Sequence, residues 1–268
     1  MPILAGTSGW QYHDWRGTFY PPGVPLARWL EHYSAIYPAV ENNGTFYRLA
    51  SPETFASWRA RTPEGFVMAI KASRYLTHIR RLREPAEPVA RLIAAASRLG
   101  DRLGPVLLQL PPNMTADAVA LDECLRQFAA QFAAYRKNGS GSTEGTATAA
   151  GAGRVCVEFR HESWWTTEIS QLLQAHDAAL CWADRLGRPI GPLWRTASWG
   201  YLRLHEGAAQ PWPRYGRQAL RSWISRISDT WPKDADVFAF FNNDQGGAAP
   251  ADAASFAELA GRAGWPKP

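Results

Sequence analysis

Eight short apolar runs, separated in all but one case by stretches with helical spacing of apolar residues, alternate along almost the whole chain. Few folds accommodate that alternation, because a strand that returns to a parallel neighbour needs a helical crossover each time. The predicted strands are 3–8 (ILAGTS), 37–43 (YPAVENN), 66–71 (FVMAIK), 105–110 (PVLLQL), 154–159 (RVCVEF), 179–184 (ALCWAD), 200–205 (GYLRLH) and 236–242 (DVFAFFN). Helices are expected near 26–36, 52–60, 86–100, 116–135, 165–176, 215–230 and 250–263, with a Gly-, Pro- and Trp-bearing loop between the sixth and seventh strands. The pattern predicts an α/β fold, a single (β/α)₈ TIM-barrel-like domain over 1–268 with parallel strands and outer helices. The 268 residues are close to the roughly 250 typical of that barrel. A doubly wound open sheet is the competing arrangement, but it uses fewer strands and often a glycine fingerprint after the first.

One segment departs from the pattern. Residues 137–153 (KNGSGSTEGTATAAGAG) carry almost no apolar bulk and cannot offset the entropy of ordering, so they read as a flexible low-complexity insertion within the domain. It falls between a helix and the next strand, which in a barrel is the face away from the active site.

Hydrophobic residues are 46% of the chain and charged residues 20%, an ordinary globular balance. No run approaches the length of a membrane span and the N-terminus has no secretion-signal pattern, so a cytoplasmic protein without membrane association is expected. Cys124, Cys156 and Cys181 show no metal-ligand or disulfide spacing. The net charge of +5 suits anionic ligands and leaves nucleic acid as a possible partner, although the basic residues are scattered. The 13 Trp fill a core or line a recognition surface, and composition does not separate the two. Oligomeric state is left open.

Period-two alternation divides each strand into an inward and an outward set. The inward sets read as Ala39, Glu41 and Asn43; Val67, Ala69 and Lys71; Leu107 and Gln109; Cys156, Glu158 and then Arg160; Leu180, Trp182 and Asp184; and Tyr201, Arg203 and His205. The last strand ends in Asn242 and Asn243, its inward residue undecided. Small or apolar residues come first and an ionisable or amide group comes at the C-terminal end, where barrel active sites gather. A closed ion pair, for example Glu158 with Arg160 or Lys71 with Glu41, is the structural alternative for each charge. His78 and His161 follow strand ends on loops and can line the same mouth.

The residues quoted so far lie within longer motifs. GTSGW (6–10) with Tyr12, Trp15 and GTFYPP (17–22), VENNGTFYR (40–48), TPEGFVMAIK (62–71), Thr77-His78, QLPP (109–112), VEFRHESWW (157–165), YLRLHEG (201–207) and FFNNDQGGAA (240–249) together resemble the YecE-like family, a domain of unknown function. The resemblance runs through nearly the whole chain in order. It implies a (β/α)₈-like fold, supplies no mechanism, and matches motif positions at Glu41, Asn43, Thr45, Tyr47, Lys71, His78, Gln109, Glu158, Arg160, Ser163, Trp164, Asp184, Arg203, His205, Asn242 and Asn243. Asn42 and Gly44 depart from the aliphatic residue and serine expected there, which leaves two neighbouring amides as candidates for the mouth.

The leading functional reading is an enzyme of hydrolytic or lytic type, with Glu41, Glu158, Asp184 and His205 as catalytic candidates. Glu41 and Glu158 would divide acid and base or nucleophile roles. Trp10, Asn43, Tyr47, Lys71, His78, Gln109, Arg160, Trp164, Arg203, Asn242 and Asn243 are the substrate-binding candidates. Aromatics suit a sugar or nucleoside face, and Lys71, Arg160 and Arg203 suit phosphate or carboxylate. No cofactor is identified. A divalent metal on Glu41, Glu158, Asp184 and His205 is weighed and not favoured, since three cations would compete with it for the carboxylates. The alternative class is a non-catalytic binding module for nucleic acid or an anionic metabolite.

Overall fold

The computed structural model describes residues 3–137 and 153–268. Eight parallel staves run in sequence order: β1 (Ile3–Ser8), β2 (Ala39–Asn42), β3 (Val67–Lys71), β4 (Leu103–Gln109), β5 (Val155–Glu158), a stave in two pieces, β6 (Ala179–Leu180) and β7 (Trp182–Arg185), then, after the short β8 (Arg188–Pro189), β9 (Gly200–Leu204) and β10 (Val237–Phe241). β1 pairs with both β2 and β10. β6 pairs with β5 and β7 with β9. Cys181 joins the two pieces, its amide donating to the Val157 carbonyl at 2.8 Å, so the ring of neighbours closes. All eight predicted strands are present. The sixth is interrupted at Cys181 and continues into an antiparallel hairpin with β8, where the sequence predicts only a loop.

Seven principal helices cover the staves, α1 (Trp29–Ser34), α3 (Pro52–Ala60), α4 (Ala86–Ala96), α5 (Ala118–Lys137), α6 (Thr167–Ala175), α7 (Arg217–Thr230) and α8 (Ala248–Arg262), with one short turn, α2 (Gly44–Tyr47), just after β2. Side-chain caps set three of the starts, that of α5 through Asp117, which accepts from the Ala120 amide at 3.0 Å. Ser51 accepts from the Thr54 amide ahead of Pro52, and Thr166 accepts from the Ile169 amide. The predicted insertion at 137–153 falls almost wholly on 138–152, which lie outside the described residues.

Two apolar cores result. The outer one lies between staves and helices and takes Val40, Met68, Ile70, Val157, Leu180, Trp182, Leu202 and Phe241. The inner one fills the barrel with Leu4, Ala39, Val67, Ala69, Leu107, Cys156, Trp199, Tyr201, Phe238 and Phe240. Gly6 belongs to the tight part of this wall: a Cβ there would stand 2.0 Å from the Ala39 carbonyl oxygen, so a side chain would force β1 away from β2. Trp15, Trp29, Trp164, Trp182, Trp199 and Trp223 are among the largest fully buried side chains, so much of the tryptophan excess is core.

The alternation is read correctly on β2, β3, β4, β5 and β9 and in the wrong phase on the split stave. There the inward residues are Ala179, Cys181 and Ala183, while Leu180 and Trp182 join the outer core. The inner space beside this stave is already filled by Trp199 and Tyr201 from the β9 strand and its approach, so only small side chains fit. Asp184 therefore belongs to the outward set, not the inward one.

Candidate functional site

Arg203 is the centre of the mouth. It is fully buried, with side-chain exposure of 1%. Its Nε and Nη2 donate to Glu41 at 3.0 and 2.9 Å, and its Nη1 donates to Glu158 Oε2 at 2.6 Å. Tyr201 OH donates to the other side of Glu41 at 2.6 Å. Glu158 also accepts from Gln109 Nε2 at 3.0 Å and from Arg160 Nε at 2.9 Å. These six side chains come from four staves, Glu41 from β2, Gln109 from β4, Glu158 and then Arg160 from β5, and Tyr201 and Arg203 from β9, and parallel strands in register bring them together at one end of the barrel.

Burial alone would raise both glutamates, but the neighbouring guanidinium reverses the sign. Arg203 and the Tyr201 hydroxyl bring Glu41 below its usual range despite its burial. Arg203, His205 and Arg160 bring Glu158 well below it. Two ionised carboxylates clamped by one guanidinium do not divide into a protonated acid and a free base, so the expected Glu41–Glu158 catalytic pairing does not match this geometry. Nor do the four candidate metal ligands converge. Arg203 occupies the space between two of them, Asp184 faces outward, and among the described residues no group of three or more His, Cys, Asp or Glu could hold a metal ion.

His205 lies beside Glu158, its Nε2 3.5 Å from Oε1, while its Nδ1 meets Asn242 Nδ2 at 3.0 Å. Asn242 is thus the amide that faces inward at the end of β10. Asn243 turns away and donates to the Pro213 carbonyl and to Asp252, tying down the 205–216 loop. Asp184 holds the same loop. It accepts from the His205 amide at 2.7 Å and from Tyr215 OH at 2.7 and 2.8 Å. Burial, without a neighbouring guanidinium to oppose it, pushes its carboxyl up to about 6.

Lys71 is 8% exposed and its Nζ lies 4.4 Å from the centre of the Phe46 ring. Burial and then the Arg203 charge bring it down to about 8. His78 stands edge-on to the same ring at 5.0 Å, with Nδ1 at 2.9 Å from Thr77 Oγ1. Burial, then Lys71 and two arginines, holds it below the ordinary histidine value. Thr45 donates to the Lys71 carbonyl at 2.7 Å, which fixes the end of β3 against α2.

Beside this cluster opens a cleft of about 960 Å³ whose lining includes Arg160, His205, Asp184 and Asn242, with Phe159, Trp165, Ile190 and Pro211 among its apolar residues. Three of the aromatics expected there are elsewhere. Trp164 is fully buried, stacked on Phe159 at 4.5 Å with its Nε1 donating to the Met114 carbonyl. Trp10 is buried edge-on to Trp58. Tyr47 is 82% exposed. Trp165, the sequence neighbour of Trp164, lines the cleft instead, and Phe46, the neighbour of Tyr47, packs against Lys71 and His78; the short turns at 162–164 and 44–47 rotate the side chains away from strand phase. Of the two asparagines after Glu41, Asn42 caps Gly44, and Asn43 keeps a buried Oδ1 without a partner among the described residues. Ser163 and His161 bond each other at 2.9 Å and brace the 162–164 turn. Tyr201, Tyr215 and Asp252 are absent from the site candidates of the sequence. Of these only Tyr201 carried a signal, its inward phase on β9.

The model of a protein family of unknown function, DUF72, matches residues 4–267. The chain belongs to the DUF72 family. It is similar to the UPF0759 protein YunF of Bacillus subtilis (strain 168), 24% identical over 96% of this chain and 94% of the relative. It is also similar to the UPF0759 protein YecE of Escherichia coli (strain K12), 34% identical over 31% of this chain and 30% of the relative. A DUF72 family protein from Thermotoga maritima MSB8 superimposes with a TM-score of 0.73 at 22% identity, covering 96% of this chain and 98% of that one. The DUF72 membership agrees with the YecE-like resemblance, and the superposition with the predicted barrel. Among the described residues no helix is long and apolar enough to cross a membrane.

Proposed function

We propose that the barrel mouth is the active site of an enzyme for a small substrate bearing a phosphate or carboxylate, with Arg160 as its anion anchor and His205, backed by Glu158, as its proton-transfer group. The charge balance carries this reading. Two buried glutamates face three cations, Arg203, Arg160 and Lys71, and Arg203 alone already engages both carboxylates. Arg160 commits only its Nε to Glu158. Its terminal nitrogens have no protein acceptor among the described residues, and its side chain, 38% exposed, lines the cleft. A guanidinium presented this way binds oxyanions in pairs of parallel hydrogen bonds. His205 reaches the same cleft with one ring nitrogen on Asn242 and the other toward Glu158, the arrangement that orients an imidazole for general acid–base work. Hydrolytic chemistry on a sugar, nucleoside or phosphate ester fits this reading through His205 rather than through a glutamate pair. The three free thiols are buried, which suits a reducing cytosol and a substrate drawn from its metabolites.

The test is titration with inorganic phosphate and small carboxylates, followed by calorimetry or chemical-shift change. Arg160→Ala should weaken binding about ten- to a hundred-fold, the loss of a charge-assisted hydrogen-bond pair. His205→Gln should leave binding in place and abolish turnover in a panel of anionic esters. A short oligonucleotide that binds more tightly than phosphate, with affinity falling steeply in salt, would replace this reading with the nucleic-acid one.

A further inference from the structure

The geometry points to Lys71 as a nucleophilic amine that captures an aldehyde or ketone carbon of the anionic substrate as an imine. This rests on the reading above for the substrate's anion, but its own evidence is separate.

The sequence singles Lys71 out first. Of 29 Lys and Arg residues only four are lysines, at positions 71, 137, 233 and 267. Arginine serves every other cationic position in the mouth, Arg203 and Arg160 included. An arginine cannot lose its proton in a protein, whereas a lysine can. The one place where this chain puts a lysine beside buried carboxylates is thus a place where a permanent charge would not do the same task.

The surroundings make the same point. A structural lysine at this depth would be paired. Lys71 has no carboxylate within salt-bridge reach and no hydrogen-bond acceptor for Nζ among the described residues, because Arg203, Gln109, Tyr201 and Arg160 already engage the oxygens of Glu41 and Glu158. Nζ instead lies against the Phe46 ring. An amine desolvated by an apolar side chain and set near other cations is the general recipe for a lysine nucleophile. With its value brought down to about 8, roughly a tenth of Lys71 is the neutral amine at pH 7, against well under a hundredth of that for an ordinary lysine of about 10.4.

The step balances without an oxidant or reductant. The Nζ lone pair attacks the carbonyl carbon, the C–O π electrons move to oxygen, and that oxygen takes a proton to give a carbinolamine. Nitrogen then gives up a proton, the hydroxyl takes one up and departs as water with the C–O bonding electrons, and the nitrogen lone pair forms C=N as a protonated imine. Hydrolysis reverses it. His78, edge-on to the same Phe46 ring, is the nearby group for these proton transfers. Arg160 lines the cleft and also acts on both Lys71 and His78 through its charge, so it is the group to hold the phosphate or carboxylate of the same molecule.

The experiment treats the full chain with glyoxylate, a carboxylate aldehyde, or with glycolaldehyde phosphate, in cyanoborohydride, and maps the reduced adducts by peptide mass spectrometry. Lys71 should be labelled about ten-fold or more in preference to Lys233 and Lys267, which are exposed, as its larger neutral fraction requires. Its labelling should rise with pH to a midpoint near 8. The better of the two aldehydes identifies the anion as carboxylate or phosphate. Excess inorganic phosphate and Arg160→Ala should each suppress the adduct, and Lys71→Arg should lose it while keeping the positive charge. Should Lys71→Arg fail to fold, the labelling ratio in the natural protein decides alone. Lys71 labelled no more than Lys233 and Lys267 overturns the inference, and phosphate binding retained in that case leaves the anion site standing. A Lys71 adduct indifferent to phosphate and to Arg160→Ala supports the nucleophile and overturns the anion anchor.

Discussion

Glu41 and Glu158 on the inner face of the staves and Asp184 on the outer face are all buried to 1% exposure or less, yet their carboxyls move in opposite directions. The inner pair is met by a guanidinium and stays ionised. Asp184 is met by a phenol and a backbone amide, which donate hydrogen bonds but carry no charge, and burial wins. Burial depth therefore does not decide the protonation state at this end of the barrel; the formal charge of the nearest donor does. The inner region is built to hold fixed charges, and the outer one is a hinge of hydrogen bonds under the 205–216 loop.

The largest effect that would break this contrast is removal of the central charge. Arg203→Met leaves Glu41 buried without a paired cation and Glu158 with Arg160 alone, and should cost about 3–5 kcal/mol in urea unfolding at pH 7, with part of the loss recovered in acid as the carboxyls take up protons. A loss under about 1 kcal/mol would mean that the glutamates do not depend on Arg203.

The second prediction sharpens the contrast through pH. Asp184 titrates in the folded chain at about 6, above the roughly 3.9 of an unfolded aspartate, so the folded state favours its protonated form. Its contribution should thus rise as pH falls from 7 through 6 toward 4. Glu41 and Glu158 lie below the ordinary glutamate value, so their stabilisation is present above about 4.3 and is lost only as pH falls through their folded values. Comparing Asp184→Asn with the natural chain at each pH isolates the outer group. The substitution should raise stability at pH 7, on the order of 1–3 kcal/mol, and the advantage should vanish near pH 4. An advantage that is constant with pH would reject the assignment.

The smallest effect concerns Lys71. Its folded value of about 8 lies below the unfolded value of about 10.4, so its charge opposes folding below pH 8. The roughly 3 kcal/mol of that charge penalty is offset by the lost contact of Nζ with the Phe46 ring, so Lys71→Met should gain only about 1 kcal/mol at pH 7, fading as pH rises from 8 toward 10, and should lose the proposed anion-dependent activity, as a group retained for function rather than stability would. A loss of stability at pH 7 would assign Lys71 a structural role.

Much of this was legible beforehand, and the failures are specific. Period two marks Lys71, Gln109, Glu158, Arg203 and His205 as inward because their outward neighbours, such as Met68, Ile70, Val157, Leu202 and Leu204, are uniformly bulky. The 179–184 run misled because either phase is acceptable in isolation. Leu180 and Trp182 look like core, and only the volume already filled by Trp199 and Tyr201 excludes them from the barrel. Trp164 and Trp165 are adjacent and chemically identical, so no pattern distinguishes the one sealed on Phe159 from the one facing the cleft.

The sequence by itself determined the stave count, the closure into a barrel, and most of the polar groups that would rise to its C-terminal end, because backbone alternation is a local property written every two residues. The tertiary structure decided which of those groups neutralise one another. Arg203 finds its partners 162 and 45 residues away. Whether a guanidinium falls between two carboxylates depends on the register of separate staves, and Coulomb energy changes steeply over that distance. That placement leaves the terminal nitrogens of Arg160 and the Lys71 amine without a protein acceptor among the described residues, and the proposed anion site rests on these two groups.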